Sequence, residues 1–146
     1  MSIPKIIHYC WFGHNPKPEL AQKCMDSWKK YCPDYNIIEW SEENFDTSSA
    51  PLYVRQAYEA KRWAFVTDYV RLQVVYEHGG IYLDTDVQII RSLDPLLKNK
   101  AYMGFENTQQ INSGLGFGAE AGSRFLYEQM KVYDTLVFRN EDGTLN

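Results

Sequence analysis

Cysteine is scarce in this chain: Cys10, Cys24 and Cys32 are odd in number and show no Cys-x-x-Cys spacing. Neither a disulfide framework nor a zinc site follows from such a set, so buried free thiols in a reducing compartment are expected. Also lacking is any apolar run of about 18 residues, the length a bilayer-spanning helix needs. The opening Met1-Ser2-Ile3-Pro4-Lys5 has no apolar core of the kind found in signal peptides. A soluble, cytoplasmic protein is therefore expected, with peripheral membrane contact through partners left open. Basic blocks stop at Lys29-Lys30 and the net charge is -4, so nucleic acid is not an expected partner. His8, His14 and His78 form neither an HExxH motif nor a close pair, and no GxSxG elbow or internal repeat occurs.

What is present is a core-forming composition, 45% hydrophobic and 15% aromatic over 146 residues, which suits one domain over 1-146. Ile3 to Trp11 reads as a strand that stops at Phe12-Gly13-His14-Asn15-Pro16. Leu20, Ala21, Cys24, Trp28 and Tyr31 recur at helical spacing, predicting a helix over Pro18 to Tyr31, and Tyr35 to Trp40 reads as a second strand. This strand, helix, strand unit is the building block of a mostly parallel sheet.

Ser41 to Ala50 reads as surface loop, and Pro51 suits the first turn of a helix. Two helices broken near Ala60 to Arg62 are expected between Tyr53 and His78, ended by Gly79-Gly80 and followed by a strand at Ile81. Val87 to Ile90 can extend as a strand, Leu93 to Leu97 suggests a short helical turn, and Ala101 to Phe105 reads as a strand. A further strand around Leu115 and Phe117 and an amphipathic helix over Ala121 to Phe138 complete the pattern. The polar, turn-rich Arg139 to Asn146 would ordinarily lead into another element, so a chain lacking its C-terminal part is expected.

Gly79-Gly80-Ile81-Tyr82-Leu83-Asp84-Thr85-Asp86 places two carboxylates two residues apart after a short apolar run. If Ile81 to Leu83 is a strand, its period of two aims both at one face, about 6.6 Å apart. There they would repel by about 2.5 kcal/mol at an effective dielectric of 20, and a divalent cation would turn that repulsion into binding. Oxygen-only ligands suit Mg or Mn. A charged turn after a strand is the plainer alternative. Two other Asp-x-Asp chemistries fail on their own residues: Gln88 stands where a dehalogenase-type phosphatase wants Thr or Val, and Ile89 and Pro95 stand where an EF-hand needs Gly and Glu.

Asp68 and Arg71, three apart in an otherwise apolar helical stretch, share a helix face. An exposed ion pair is the plainer explanation of the spacing; a pair that clasps ligand hydroxyls in a pocket is the alternative, with one support, that residues 63 to 75 are too apolar all round for a solvent-facing helix. Trp11 could stack a planar base or sugar, or belong to the core.

Four ordered blocks now combine. Ile3 to Gly13, Ala64-Phe65-Val66-Thr67-Asp68-Tyr69-Val70-Arg71, Gly79 to Asp86, and Ile111-Asn112-Ser113-Gly114-Leu115-Gly116-Phe117 together resemble the DXD-motif glycosyltransferases of family 32. These are enzymes of the capsular-polysaccharide and mannosyltransferase type, related to the catalytic domains of glucosylating bacterial toxins.

The resemblance implies an α/β, GT-A-like (Rossmann-like) fold with a mixed, mostly parallel sheet flanked by helices. It implies a retaining, divalent-metal-dependent hexosyltransferase using Mn or Mg and a UDP- or GDP-sugar donor. The acceptor would be a glycan or carrier-linked molecule in capsule or other surface polysaccharide synthesis. By the same resemblance Trp11 stacks on the base, Thr67 lies beside the donor, and Asp68 and Arg71 hold the sugar hydroxyls. Tyr82 and Asp84 would touch the ribose or phosphate region, Asp86 (with Asp84) would bind the metal, and Asn112 would line the sugar pocket. No glycosidase-like acid and nucleophile pair is identifiable, which favours front-face substitution with the diphosphate helping to deprotonate the acceptor. Family members continue well beyond this length, so the second expectation is a catalytically incomplete nucleotide-sugar-binding domain or fragment.

Overall fold

The computed structural model describes residues 2–103 and 116–144. Strand β1 (Ile6–Cys10) leads through a loop into helix α1 (Glu19–Tyr31) and strand β2 (Asn36–Trp40), as the sequence pattern predicts. Helices α2 (Leu52–Glu59) and α3 (Trp63–His78) follow, with Lys61 at φ 57° in the break between them. Strands β3 (Gly80–Tyr82), β4 (Ala101–Met103) and β5 (Phe117–Ala119) and helix α4 (Arg124–Val132) complete the described elements.

The strand order is β2-β1-β3-β5-β4. β1 pairs in parallel with both β2 and β3, while β5 pairs antiparallel with β3 and with β4. Four of these strands therefore point one way and β5 alone is reversed, the mixed, mostly parallel sheet expected. Strand order turns at β1, with β2 to one side and β3 to the other. In open α/β sheets a crevice at the carboxyl ends of the strands opens at such a switch point.

The period of two along β1 divides the core between the faces of the sheet. Ile7 and Tyr9, with Ile81, face a cluster built around Trp28 of α1. On the other face Cys10, Tyr82 and Phe117 pack with Val66, Val70 and Leu126 of α3 and α4. α3 is buried through Val66, Tyr69, Val70, Leu72, Val74 and Val75, which is why its sequence is apolar nearly all round. The three cysteines are free and buried.

His8 ties the sheet together. Its Nδ1 accepts from Trp40 Nε1 at 3.0 Å, so the ring proton lies on Nε2, which donates to Gly79 O at 2.8 Å. The approach is close because Gly80 has no side chain: at φ +119° a Cβ there would meet Ile6 O at 2.8 Å. Burial presses the His8 pKa down to about 4.

Three expectations are corrected. β3 ends at Tyr82, one residue before the expected Leu83, and Asp84 and Asp86 lie on a turn closed by Val87 N to Asp84 O at 3.1 Å, so the strand's period of two does not set how they face. Val87 to Ile90 forms no strand, because the backbone groups of Val87 and Ile89 bond to side chains of α1 and not to a neighbouring strand. The last helix ends at Val132, passes into a 3-10 turn over Tyr133–Thr135, and leaves Phe138 to reach the core from extended chain.

Candidate active site

A cleft of about 670 Å³ opens at the carboxyl ends of β1 and β3. Cys10 enters it from the end of β1, and Trp11, Phe12, Asn15, Pro16 and Pro18 from the following loop. α3 supplies Trp63, Ala64, Thr67, Asp68 and Arg71, and the end of β3 supplies Tyr82, Asp84, Thr85 and Asp86. Seven of the eight residues expected from sequence thus meet in one cavity; Asn112 lies outside the described residues. Trp63 was not anticipated as a site residue. Its signal was the spacing Trp63, Thr67, Arg71, which puts all three along one side of α3.

At one end Trp11 is partly buried against the core, with its Nε1 donating to Asn15 O at 2.6 Å. Lys17 lies 5.8 Å from the centre of the Trp11 ring and pairs with Glu39 at 2.6 Å, which also accepts from Tyr9 Oη at 2.8 Å. The loop after β1 is fixed again where Gly13 N donates to Glu42 Oε2 at 2.9 Å. Gly13 has φ +97°, and a Cβ there would lie 2.6 Å from Trp63 Nε1, so this loop and α3 close on each other only around glycine. The indole face is held in place before any ligand arrives.

At the other end Arg71 Nη2 lies 3.1 Å from Asp68 Oδ1, and its guanidinium sits 5.8 Å over the Tyr82 ring. Tyr82, 1% exposed, donates its hydroxyl to Asp84 Oδ1 at 3.0 Å. Asp84 is half-buried, whereas Asp86 is exposed on the turn. Burial raises the Asp84 carboxyl above the ordinary range, opposed by the Tyr82 hydrogen bond and Arg71 and reinforced by Asp86 and Asp68. Burial likewise raises Asp68, with Arg71 opposing. The Cys10 thiol is pushed up to about 12 by burial, so it is a neutral wall and not a nucleophile.

Asp84 and Asp86 offer carboxylate oxygens alone, the donor chemistry of Mg²⁺ and Mn²⁺. Among the described residues no group of three or more His, Cys, Asp or Glu gathers to cage an ion. That donor set fits a cation held by two carboxylates and completed by phosphate oxygens and water. Arg71 Nε is buried with no partner among the described residues. Leaving such a donor unmet costs about 1–3 kcal/mol, a burden found where a pocket wall is shaped for something other than stability.

A family model described as "Glycosyltransferase sugar-binding region containing DXD motif" matches residues 18–103. Inositol phosphoceramide mannosyltransferase 3 of Schizosaccharomyces pombe is 34% identical, over 94% of this chain and 39% of that protein. Mannosyl phosphorylinositol ceramide synthase CSH1 of Saccharomyces cerevisiae is 35% identical, over 69% of this chain and 27% of that protein. The chain thus spans well under half the length of these relatives. Among solved structures the PaToxG glycosyltransferase superposes with a TM-score of 0.71 at 18% identity, covering 89% of this chain and 59% of that one, a likeness of fold.

Proposed function

Because the chain belongs to the family of glycosyltransferases whose sugar-binding region contains a DXD motif, we propose that this cleft binds a nucleotide-diphosphate sugar with Mn²⁺ or Mg²⁺ and passes the sugar to a glycan or carrier-linked acceptor. One observation carries the reading. Asp68, Asp84 and Asp86 line the cleft with Arg71 as the sole basic side chain among the described lining residues, so a diphosphate beside the aspartates meets net repulsion that a cation between them would turn into attraction.

Asp84 and Asp86 would hold the ion, which when bound neutralises charge on the departing diphosphate. Trp11 presents the stacking face for the base, with Thr67 beside the donor. Asp68 accepts from sugar hydroxyls and Arg71 donates to them, orienting the ring and tightening as positive charge develops at the anomeric carbon. Tyr82 keeps Asp84 turned toward the cleft. Cys10 is neutral and the sequence offers no identifiable glycosidase-like acid and nucleophile pair, so we favour transfer with retention by front-face attack, the diphosphate oxygen taking the acceptor proton. A role in capsule or other surface polysaccharide synthesis on the cytoplasmic side belongs to this reading.

The test is calorimetry with a panel of UDP- and GDP-sugars in Mn²⁺, a mannosyl donor first because both relatives are named for mannosyl transfer, followed by slow donor hydrolysis. Mn²⁺-dependent binding that Asp86→Ala abolishes is expected. Binding by no donor, or binding unchanged in Asp86→Ala, would overturn the proposal. Binding without hydrolysis would favour a donor-binding fragment, the second reading that the short span against the relatives supports.

A further inference from the structure

The turn carrying Asp84 and Asp86 is followed by no strand pairing among the described residues. Before it, Leu83 N donates to His8 O at 3.1 Å, so β1 fixes its entry. After it, the chain over 87–92 pairs with no strand among the described residues, and backbone groups buried there need partners from elsewhere. Helix α1 provides them across some sixty residues of sequence. Trp28 Nε1 donates to Val87 O at 2.8 Å, and Ser27 Oγ accepts from Ile89 N at 2.9 Å while donating its own proton to Cys24 O.

These are built contacts, not incidental ones. Trp28 is 0% exposed and packs its ring edge against Tyr9, 5.7 Å between centroids; Ser27 and Ile89 are buried as well. Ser27 spends its hydroxyl as donor and acceptor at once, so its orientation is fixed. Neither side chain lines the cleft. They stand on the opposite face of the sheet, one layer behind the aspartates.

We propose that Ser27 and Trp28 are positioning residues for the metal-side turn: α1 clamps Val87 and Ile89 from behind and so sets where Asp86 presents its carboxylate. This rests on the donor-site reading above. Asp86 is exposed and no hydrogen bond to its carboxylate is recorded among the described residues, so its location is set by backbone alone. Removing groups that hydrogen-bond a metal ligand typically alters metal affinity by roughly 10–100-fold, and Ser27 and Trp28, which hold the backbone beside Asp86 and not its carboxylate, belong at the low end of that range.

The test compares wild type with Ser27→Ala, Ser27→Thr and Trp28→Phe. Affinity for UDP and GDP is measured with and without Mn²⁺, and amide hydrogen exchange is followed at Asp86 to Ile89. Ser27→Ala and Trp28→Phe are expected to weaken the Mn²⁺-dependent part of nucleotide binding about tenfold. Metal-free binding of the same nucleotide should hold, exchange at Ile89 should rise in Ser27→Ala while β1 amides stay protected, and Ser27→Thr should restore both. Equal losses with and without Mn²⁺ would mark a purely structural role and overturn the proposal, as would unchanged exchange at Ile89. A wild type that binds neither nucleotide with Mn²⁺ would overturn the donor-site reading and the positioning role with it, while protected amides at 87–89 would identify that failure as one of function and not of the clamp.

Discussion

Tyr82 and Arg71 show how little of a side chain a ligand site needs to expose. Tyr82 is buried, and where it borders the cleft its hydroxyl donates to Asp84. Tyr82→Phe should therefore keep the fold and weaken Mn²⁺-dependent nucleotide binding by about fivefold, the equivalent of one hydrogen bond at ~1 kcal/mol, measured by calorimetry. Arg71 makes a different demand, since a planar fork that meets Asp68 while lying over an aromatic ring is not replaced by an ammonium. Arg71→Lys should leave binding of the free nucleoside diphosphate within about twofold while donor hydrolysis falls more than about tenfold, because the fork is read as serving the sugar. Equal loss of nucleotide and donor binding would move Arg71 to the diphosphate. At this scale the meeting of the aspartates and Arg71 in one cleft was legible from motif and spacing, and that of Trp11 only through the family resemblance. Ser27 and Trp28 were not legible: their partners lie 62 and 59 residues away, and a serine and a tryptophan on a helix carry no local sign of that.

Elements were legible where period and punctuation agreed. α1 and the break between α2 and α3 fall where apolar spacing and a short polar interruption put them. Val87 to Ile90 shows the opposite case. A β-prone run reads as strand, yet α1 side chains take its hydrogen-bonding groups, and tertiary context overrides propensity. Gly79-Gly80 was read as a helix stop, which it is, but the greater demand on Gly80 is the close approach to Ile6 and His8. Gly80→Ala adds a Cβ against backbone at φ +119° and should cost at least about 2 kcal/mol in urea unfolding, from strain and overpacking together. Because β3 carries the aspartate turn, the same variant should weaken Mn²⁺-dependent nucleotide binding.

Across the whole molecule, the cleft follows from topology: sheet order turns at β1, and β1 and β3 end side by side with Trp11 just past one and Asp84 just past the other. The same junction sets the acid response of the fold. His8 is neutral and bridges Trp40 at the end of β2 to Gly79 before β3, with its pKa held at about 4 by burial against 6.5 in the unfolded chain. A depressed value means that the unfolded chain takes up the proton first. The contribution is therefore complete above about pH 6.5 and is lost as pH falls toward 4, amounting to about 3 kcal/mol. Asp68 and Asp84 work in the other direction: their raised carboxyls bind protons more readily in the native state, which offsets part of the loss. Comparison with His8→Gln separates the two. In urea titrations between pH 7 and 4, wild type should lose more stability than His8→Gln by about 3 kcal/mol, so that the two curves converge in acid. Parallel curves would mean that His8 is not the proton-sensitive joint between these strands.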